Sequence, residues 1–283
     1  AGMPVALNVD GLERKRRKWG AVARAYYRLC EALAALLADR LVTDAEVIRR
    51  YYRRAYRVSS RMIPYGGDLE PPRGSEELER LGLDPGGYLL YVSRFEPENN
   101  PDRVVEAYRR LTTTRRLVMV GGAPYAPGLT RRVRELADER VLLPGPVYGD
   151  GYRQLLFNCR LYLHATEVGG THPALVEAMG AGRPVLYYDT PENREVAGGA
   201  GLPFRFAGDR ALERALERVV EDDATISDLL AYNLRRAGYT VRQERSGRAG
   251  LEAALAGAAD LVLLDLMLPG IDGLTAGREL KRN

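Results

Sequence analysis

The sequence predicts an α/β protein built on a parallel sheet with helices on both faces. Short apolar strands alternate with amphipathic helices from Pro4 to Phe206, and that alternation favours parallel strands joined by helical crossovers. Glycine and proline break the pattern at the junctions, as in Gly121-Gly122 and Pro144-Gly145-Pro146. The stretch from His164 to Asp189 reads as strand, glycine loop, helix, glycine stop and second strand. That order places backbone N–H groups and a helix N-terminus at a strand's carboxyl end, where phosphate-bearing ligands bind.

Pro4 to Val9 reads as the first strand, turned by Asp10-Gly11. A charge run from Glu13 to Lys18 follows and reads as a solvated face, with a lipid-linked acceptor as the alternative neighbour. From Trp19 to Ala38, Val22, Tyr26, Leu29, Leu33, Leu36 and Leu37 recur at helical spacing. Arg40–Thr43 is a strand, Ala45–Tyr56 an amphipathic surface helix and Arg61–Pro64 a strand. Pro71-Pro72-Arg73-Gly74-Ser75 has linker chemistry and marks a boundary. Strands are then expected at Tyr88–Ser93, Arg116–Val120, Val141–Leu143, 161–166, 184–188 and Leu202–Phe206. The helices between them are Asp102–Leu111, Gly128–Ala137, Tyr152–Asn158, 173–180 and 192–197. Ala211–Val220 is helical, and the pattern then restarts: helix Thr225–Ala237, strand Tyr239–Gln243, helix Gly247–Ala256, strand Leu261–Asp265, helix Leu274–Lys281.

The chain has 283 residues, 46% of them hydrophobic and 28% charged, which fits folded domains rather than disorder. The net charge of +4 arises from 42 basic and 38 acidic residues. The basic residues are nearly all arginine, but the acidic count offsets them, which argues against a nucleic-acid partner. Cys30 and Cys159 are scattered, as expected of buried thiols in a reducing compartment, and two histidines without a Cys/His cluster argue against structural zinc. No run of 18 apolar residues exists, so no transmembrane segment is expected. The N-terminus carries no signal-peptide pattern and reads as if entered in mid-domain.

Several ordered motifs carry a resemblance. They are Asn8-Val-Asp-Gly-Leu-Glu13, Ile63-Pro-Tyr-Gly-Gly-Asp68, Ser93-Arg-Phe-Glu-Pro-Glu-Asn-Asn100, Gly145-Pro-Val147, Val168-Gly-Gly-Thr-His-Pro173 and Leu175-Val-Glu-Ala-Met-Gly180. With them, residues 1 to about 220 resemble the later part of a retaining glycosyltransferase of family four, rhamnosyltransferase-like, with the GT-B architecture. The resemblance implies the C-terminal part of a Rossmann-like N-terminal domain over 1–73 and a donor domain over 74–220. It implies transfer of a sugar from a nucleotide-diphosphate donor to a polysaccharide or lipid-linked acceptor, without a metal cofactor. Arg94 would stabilise charge on the leaving phosphate, Gly170 and Thr171 would offer backbone N–H groups, and Glu177 would accept from ribose hydroxyls; Asn99 is a further donor-binding residue. Many relatives carry an acid where this chain has Gly169 and a lysine where it has Asn99-Asn100. His172 reads as a helix-start residue, and His164 stays open between sugar contact and packing. The missing front part of the N-terminal domain is expected to weaken or abolish transfer. The place of work is expected to be the cytoplasm, with a peripheral position at the inner membrane face as an extension.

Val219-Val-Glu-Asp-Asp223, Leu229 to Tyr239 and Asp260 to Gly273 are similar to the front half of a response-regulator receiver, a flavodoxin-like fold, over 221–283. This likeness implies Asp265 as phosphoacceptor, Glu221 and Asp222 as Mg²⁺ partners and a histidine kinase as phosphate source. A phosphoacceptor signalling module is therefore the rival function, and a non-catalytic remnant is the third. The two patterns overlap at Val219–Asp223: if Val219 and Val220 finish a helix, they cannot form the receiver's first strand.

Overall fold

In the computed structural model, residues 3–206, 210–220, 231, 235, 238–257, 259–262 and 273–282 are described. The chain divides into two compact units, 1–221 and 222–283.

The first unit contains two parallel sheets. The smaller has the order β1 (Ala6–Val9), β2 (Arg40–Thr43), β3 (Ser60–Met62). Helix α1 (Ala21–Leu37) joins β1 to β2, and α2 (Glu46–Tyr56) joins β2 to β3. Register runs Leu7 to Leu41 and Leu41 to Ser60. Its core is small: Val9, Leu12, Leu41, Ala45, Ile48 and Tyr52 are buried together. The spacing that predicted α1 holds, but Val22, Tyr26, Leu29, Leu33, Leu36 and Leu37 are exposed.

The larger sheet is built from β4 (Tyr88–Val92), β5 (Arg116–Val120), β6 (Val141–Gly145), β7 (Leu161–His164), β8 (Val185–Tyr188) and β9 (Leu202–Phe204), all parallel. Its order is β6-β5-β4-β7-β8-β9. The chain builds outward from β4 to one edge and then returns beside β4 to build the other. Crossovers on opposite faces therefore diverge at the β4–β7 boundary, opening a crevice at the strands' carboxyl ends. The crossovers are α4 (Pro101–Arg109), α5 (Pro127–Leu136), α6 (Gly149–Asn158), α7 (Pro173–Gly180) and α8 (Pro191–Ala197), with α3 (Glu76–Leu81) leading into β4. Continuous apolar runs such as Tyr88-Leu-Leu-Tyr91 form these strands because both faces are covered: each of these four residues is at most 1% exposed. Helix α3 escaped the sequence reading because it spans only six residues.

Helix α9 (Ala211–Val220) closes the unit. Leu212 and Leu216 are buried four residues apart, so helical periodicity outweighs the strand preference of Val219-Val220. Both valines are therefore helical and do not form the first strand of a receiver.

In the second unit, α10 (Gly247–Leu255) starts at Ser246, whose hydroxyl accepts from the Ala249 N–H at 3.2 Å, and α11 spans Gly273–Arg282. The strand expected at Tyr239–Gln243 is not formed: those residues pair with no neighbouring strand among the described residues. Most of the expected helix Thr225–Ala237, residues 263–265 of the expected strand Leu261–Asp265, and Glu221, Asp222 and Asp265 lie outside the described residues.

Candidate functional site

A cavity of about 390 Å³ opens at the carboxyl ends of β4 and β7. Arg94 follows β4, His164 ends β7, and the loop Gly169-Gly170-Thr171 runs from β7 into α7. Arg94, Asn99, Gly170 and Thr171 all line this cavity. Backbone geometry fixes the Arg94 corner. Gly121 after β5 adopts φ +137°, and a Cβ there would lie 1.9 Å from the Ser93 carbonyl oxygen, so only glycine allows this approach.

Arg94 exposes 63% of its side chain at the mouth of the cavity. Its Nη1 stands 3.8 Å from Glu96, which is itself 2% exposed. Glu96 gathers positive charge: Arg16 Nη1 donates to it at 2.7 Å, Lys18 Nζ lies at 3.5 Å, and the Tyr125 hydroxyl donates at 2.8 Å. Burial opposes ionisation of Glu96, but Tyr125, Arg94, Arg16 and Lys18 outweigh it and hold the carboxyl below its usual range. Arg16 also lines the cavity, so a second guanidinium faces it. The sequence held no signal for this, because Arg16 and Glu96 lie eighty residues apart and meet through the fold.

The basic run is therefore not a solvated face. Arg14 bonds Glu31 and the Tyr51 hydroxyl, and Arg16 bonds Glu13 as well as Glu96. Arg17 pairs with Glu167, and its backbone N–H donates to the buried Glu98. The run sits against the carboxyl end of the larger sheet, which turns it into a polar seam between the two sheets.

Asn99 is 5% exposed, and its Nδ2 donates to the Arg94 carbonyl at 2.7 Å. It fixes the Arg94 turn more directly than it offers a ligand contact. Thr171 differs from the expectation in a definite way. Its N–H donates to Asp44 Oδ2 at 2.8 Å, and its hydroxyl donates to the Asp44 carbonyl at 3.1 Å. A carboxylate from the smaller sheet thus takes the N–H that was expected to meet a phosphate. Gly170 is bare for the same reason: a Cβ there would lie 2.8 Å from Asp44 Oδ2. Gly11 reaches the loop from the other side, where its own Cβ would stand 2.6 Å from the Gly170 nitrogen.

Glu177 lies on α7, where the Tyr152 hydroxyl donates to its Oε2 at 2.6 Å, and it is not among the residues lining the cavity. Burial, the neighbouring Tyr162 and this bond to Glu177 raise the Tyr152 phenol well above its ordinary value. Three of the four donor-binding residues read from the sequence therefore meet Arg94 at the cavity, while Glu177 is tied to Tyr152 beside it.

Asp10, at the end of the first strand, also faces the cavity. Partial burial and the adjacent Asp44 push its carboxyl up to about 6. Helix α2 is anchored by the larger sheet's own helix: Glu195 of α8 accepts from the Glu46 N–H and from the Val47 N–H at 2.7 Å. A carboxylate at a helix N-terminus satisfies open donors and complements the dipole. Both cysteines are free; burial raises the Cys159 thiol to about 12. Among the described residues, no group of three or more metal-ligating side chains converges and no helix is long and apolar enough to cross a membrane.

Comparison with known proteins places these features. Residues 86–222 match the family described as Glycosyl transferases group 1, and residues 218–283 match the response regulator receiver domain. The two matches share residues 218–222, where the sequence patterns also overlapped. Residues 2–68 match a domain of unknown function, DUF1972. The C-terminal segment is 45% identical over 65 residues to the DNA-binding dual master transcriptional regulator RpaA of Synechocystis, covering 23% of this chain and 27% of that protein. It is 42% identical over 65 residues to the response regulator ArlR of Staphylococcus saprophyticus, covering 23% of this chain and 30% of that one. The chain thus spans less than a third of the response regulators it matches. Among solved structures, HepE of Anabaena in complex with UDP-glucose superposes with a TM-score of 0.66 at 18% identity, over 82% of this chain and 68% of that one. Sucrose-phosphate synthase of Thermosynechococcus elongatus gives 0.60 at 18% identity, over 82% and 62%. TarM of S. aureus gives 0.61 at 12% identity, over 82% and 48%. These likenesses show the GT-B fold and bear out the α/β expectation.

Proposed function

We propose that this chain, which carries a group 1 glycosyl transferase domain over residues 86–222, moves a sugar from a nucleotide-diphosphate donor to a saccharide or lipid-linked acceptor with retention at the anomeric carbon. The observation that carries this reading is the cavity at the β4–β7 carboxyl ends, faced by two guanidinium groups, Arg94 and Arg16. A crevice of this size and position suits a ligand with a charged diphosphate and an uncharged sugar. HepE is a solved relative in fold that holds UDP-glucose. Arg94 faces the cavity from a turn held by Gly121 and Asn99, so its charge is positioned before the reaction begins. Such preorganised charge is most effective on a leaving diphosphate in a site with little water. The donor's ribose falls to Glu177, beside the Tyr152 hydroxyl, and donor binding requires no metal. The acceptor is taken up at the inner membrane face or in the cytoplasm.

The C-terminal segment supports a second reading on the strength of its receiver match. In that reading Asp265 accepts a phosphoryl group from a histidine kinase, with Mg²⁺ held by Glu221 and Asp222. All three residues lie outside the described residues, so the geometry argued above belongs to the transferase reading.

Calorimetric titration of the full chain with UDP, UDP-glucose, dTDP and dTDP-rhamnose in the presence of EDTA tests the transferase reading. Binding is expected for at least one nucleotide, and Arg94→Ala is expected to weaken it about tenfold to a hundredfold, the scale of a charge-assisted hydrogen bond. Absence of heat with all four ligands, or unchanged binding in Arg94→Ala, would overturn it.

A further inference from the structure

The chain has two histidines, and both line the same cavity. His164 ends β7 and His172 precedes α7, with ring centroids 4.8 Å apart. His164 is 3% exposed, and its Nε2 has no hydrogen-bond partner. Its ring lies over Tyr162 at 6.3 Å and 18°, which fixes the plane in which that nitrogen points. His172 owes its place to a glycine: a Cβ on Gly169 would lie 2.4 Å from His172 Cε1, so the imidazole occupies the space of a missing side chain. A buried polar atom without a partner is rare in a folded protein, and at a cavity wall it marks a place for a ligand atom.

The charged groups around the pair decide what that atom is. Arg16 and Arg94 act on His172 from the cavity, and Asp44 acts on it from the smaller sheet. Burial, Arg16 and Arg94 depress His172 to about 4 against the opposing pull of Asp44. Burial and then His172 hold His164 well below its ordinary value. Both rings are neutral near pH 7, so each offers one donor and one acceptor. That inventory matches a hydroxyl group, whereas a diphosphate is matched by guanidinium groups.

We propose that His172 and His164 bind ring hydroxyls of the transferred sugar, so that this imidazole pair, and not the arginines, distinguishes one donor sugar from another. The proposal rests on the donor-binding reading above. It assigns the diphosphate to Arg94 and Arg16 and the sugar to the two histidines.

The test is calorimetry on the full chain with the four ligands named above, comparing each nucleotide with its own sugar derivative. His172→Phe keeps an aromatic ring and removes both nitrogens. It is expected to weaken the nucleotide sugar about tenfold and the bare nucleotide less than twofold. His164→Phe, checked for a parental melting curve, is expected to do the same; if it does not fold, His172→Phe decides alone. Equal losses for nucleotide and nucleotide sugar in His172→Phe, or no loss for either, overturn the assignment while leaving donor binding intact. No binding of any ligand to the parent chain overturns both readings together.

Discussion

The two parallel sheets of the first unit are held in place by different physics. In the larger sheet, Leu89, Leu90 and Tyr91 are at most 1% exposed and sit among buried apolar residues. In the smaller sheet, three of the four residues of β1 are exposed, and the core is six residues. The smaller sheet is tied to the larger one by polar bonds at the carboxyl ends: Asp44 to Thr171, Glu195 to the start of α2, Arg16 to Glu96, and Arg17 to Glu98 and Glu167. One sheet supplies stability, and the other supplies side chains to a site. A seam made of charges and bare glycine backbone suits the second task, because it brings Asp10, Arg16 and Asp44 to the loop that faces the cavity.

The sharpest way to break this contrast is to remove equal side chains from the two sheets. Leu90→Ala, fully buried on β4, is expected to cost about 2–5 kcal/mol. Leu7→Ala, 38% exposed on β1, is expected to change stability by less than about 0.5 kcal/mol. Urea unfolding of both variants checks this, and similar losses would mean that the smaller sheet is as deeply packed as the larger.

A smaller effect is expected at the seam. Asp44→Ala removes the acceptor of the Thr171 N–H and hydroxyl region and should cost about 1–3 kcal/mol. Hydrogen exchange at the Thr171 amide should accelerate in this variant, while exchange at Leu90 should fall only in step with global stability. A Thr171 amide that stays protected would show that Asp44 is not what holds it.

The smallest effect sharpens the electrostatic side. Asp10 is pushed up to about 6 by partial burial, Asp44 and Glu13, with Arg16 pulling the other way. A carboxyl raised in the folded state favours folding while it is protonated. That contribution is complete below its ordinary value near 3.8 and is lost as pH rises through about 6. Asp10→Asn should therefore stabilise the chain relative to the parent above pH 7 and bring no gain at pH 4. Because Asp10 is solvent-exposed on one side, screening limits the gain to about 1 kcal/mol or less. Thermal melts at the two pH values decide it, and a gain of equal size at both would remove the carboxyl pair from the account.

The residues that made the site legible were local. Gly121-Gly122, Arg94 just past a strand and Gly169-Gly170 before a helix are signals carried within a few neighbours, and each of them lines the cavity. Glu177 was equally visible, but its bond to Tyr152 depends on how α6 and α7 pack. The basic run misled, because Glu13 to Lys18 looks solvated until Glu96, Glu98 and Glu167 arrive from the other sheet. Val219-Val220 misled in the receiver direction, because a β-branched pair says strand locally while Leu212 and Leu216 commit the segment to a helix.

Periodicity and glycine placement, both short-range properties of the chain, determined the α/β class, most of the strands and the loop that faces the cavity. Only the tertiary structure decided which charges meet there. Arg16 with Glu96, Asp44 with Thr171, and His164 with His172 join residues from separate elements, and such pairings follow from sheet order and closure, which no local pattern encodes.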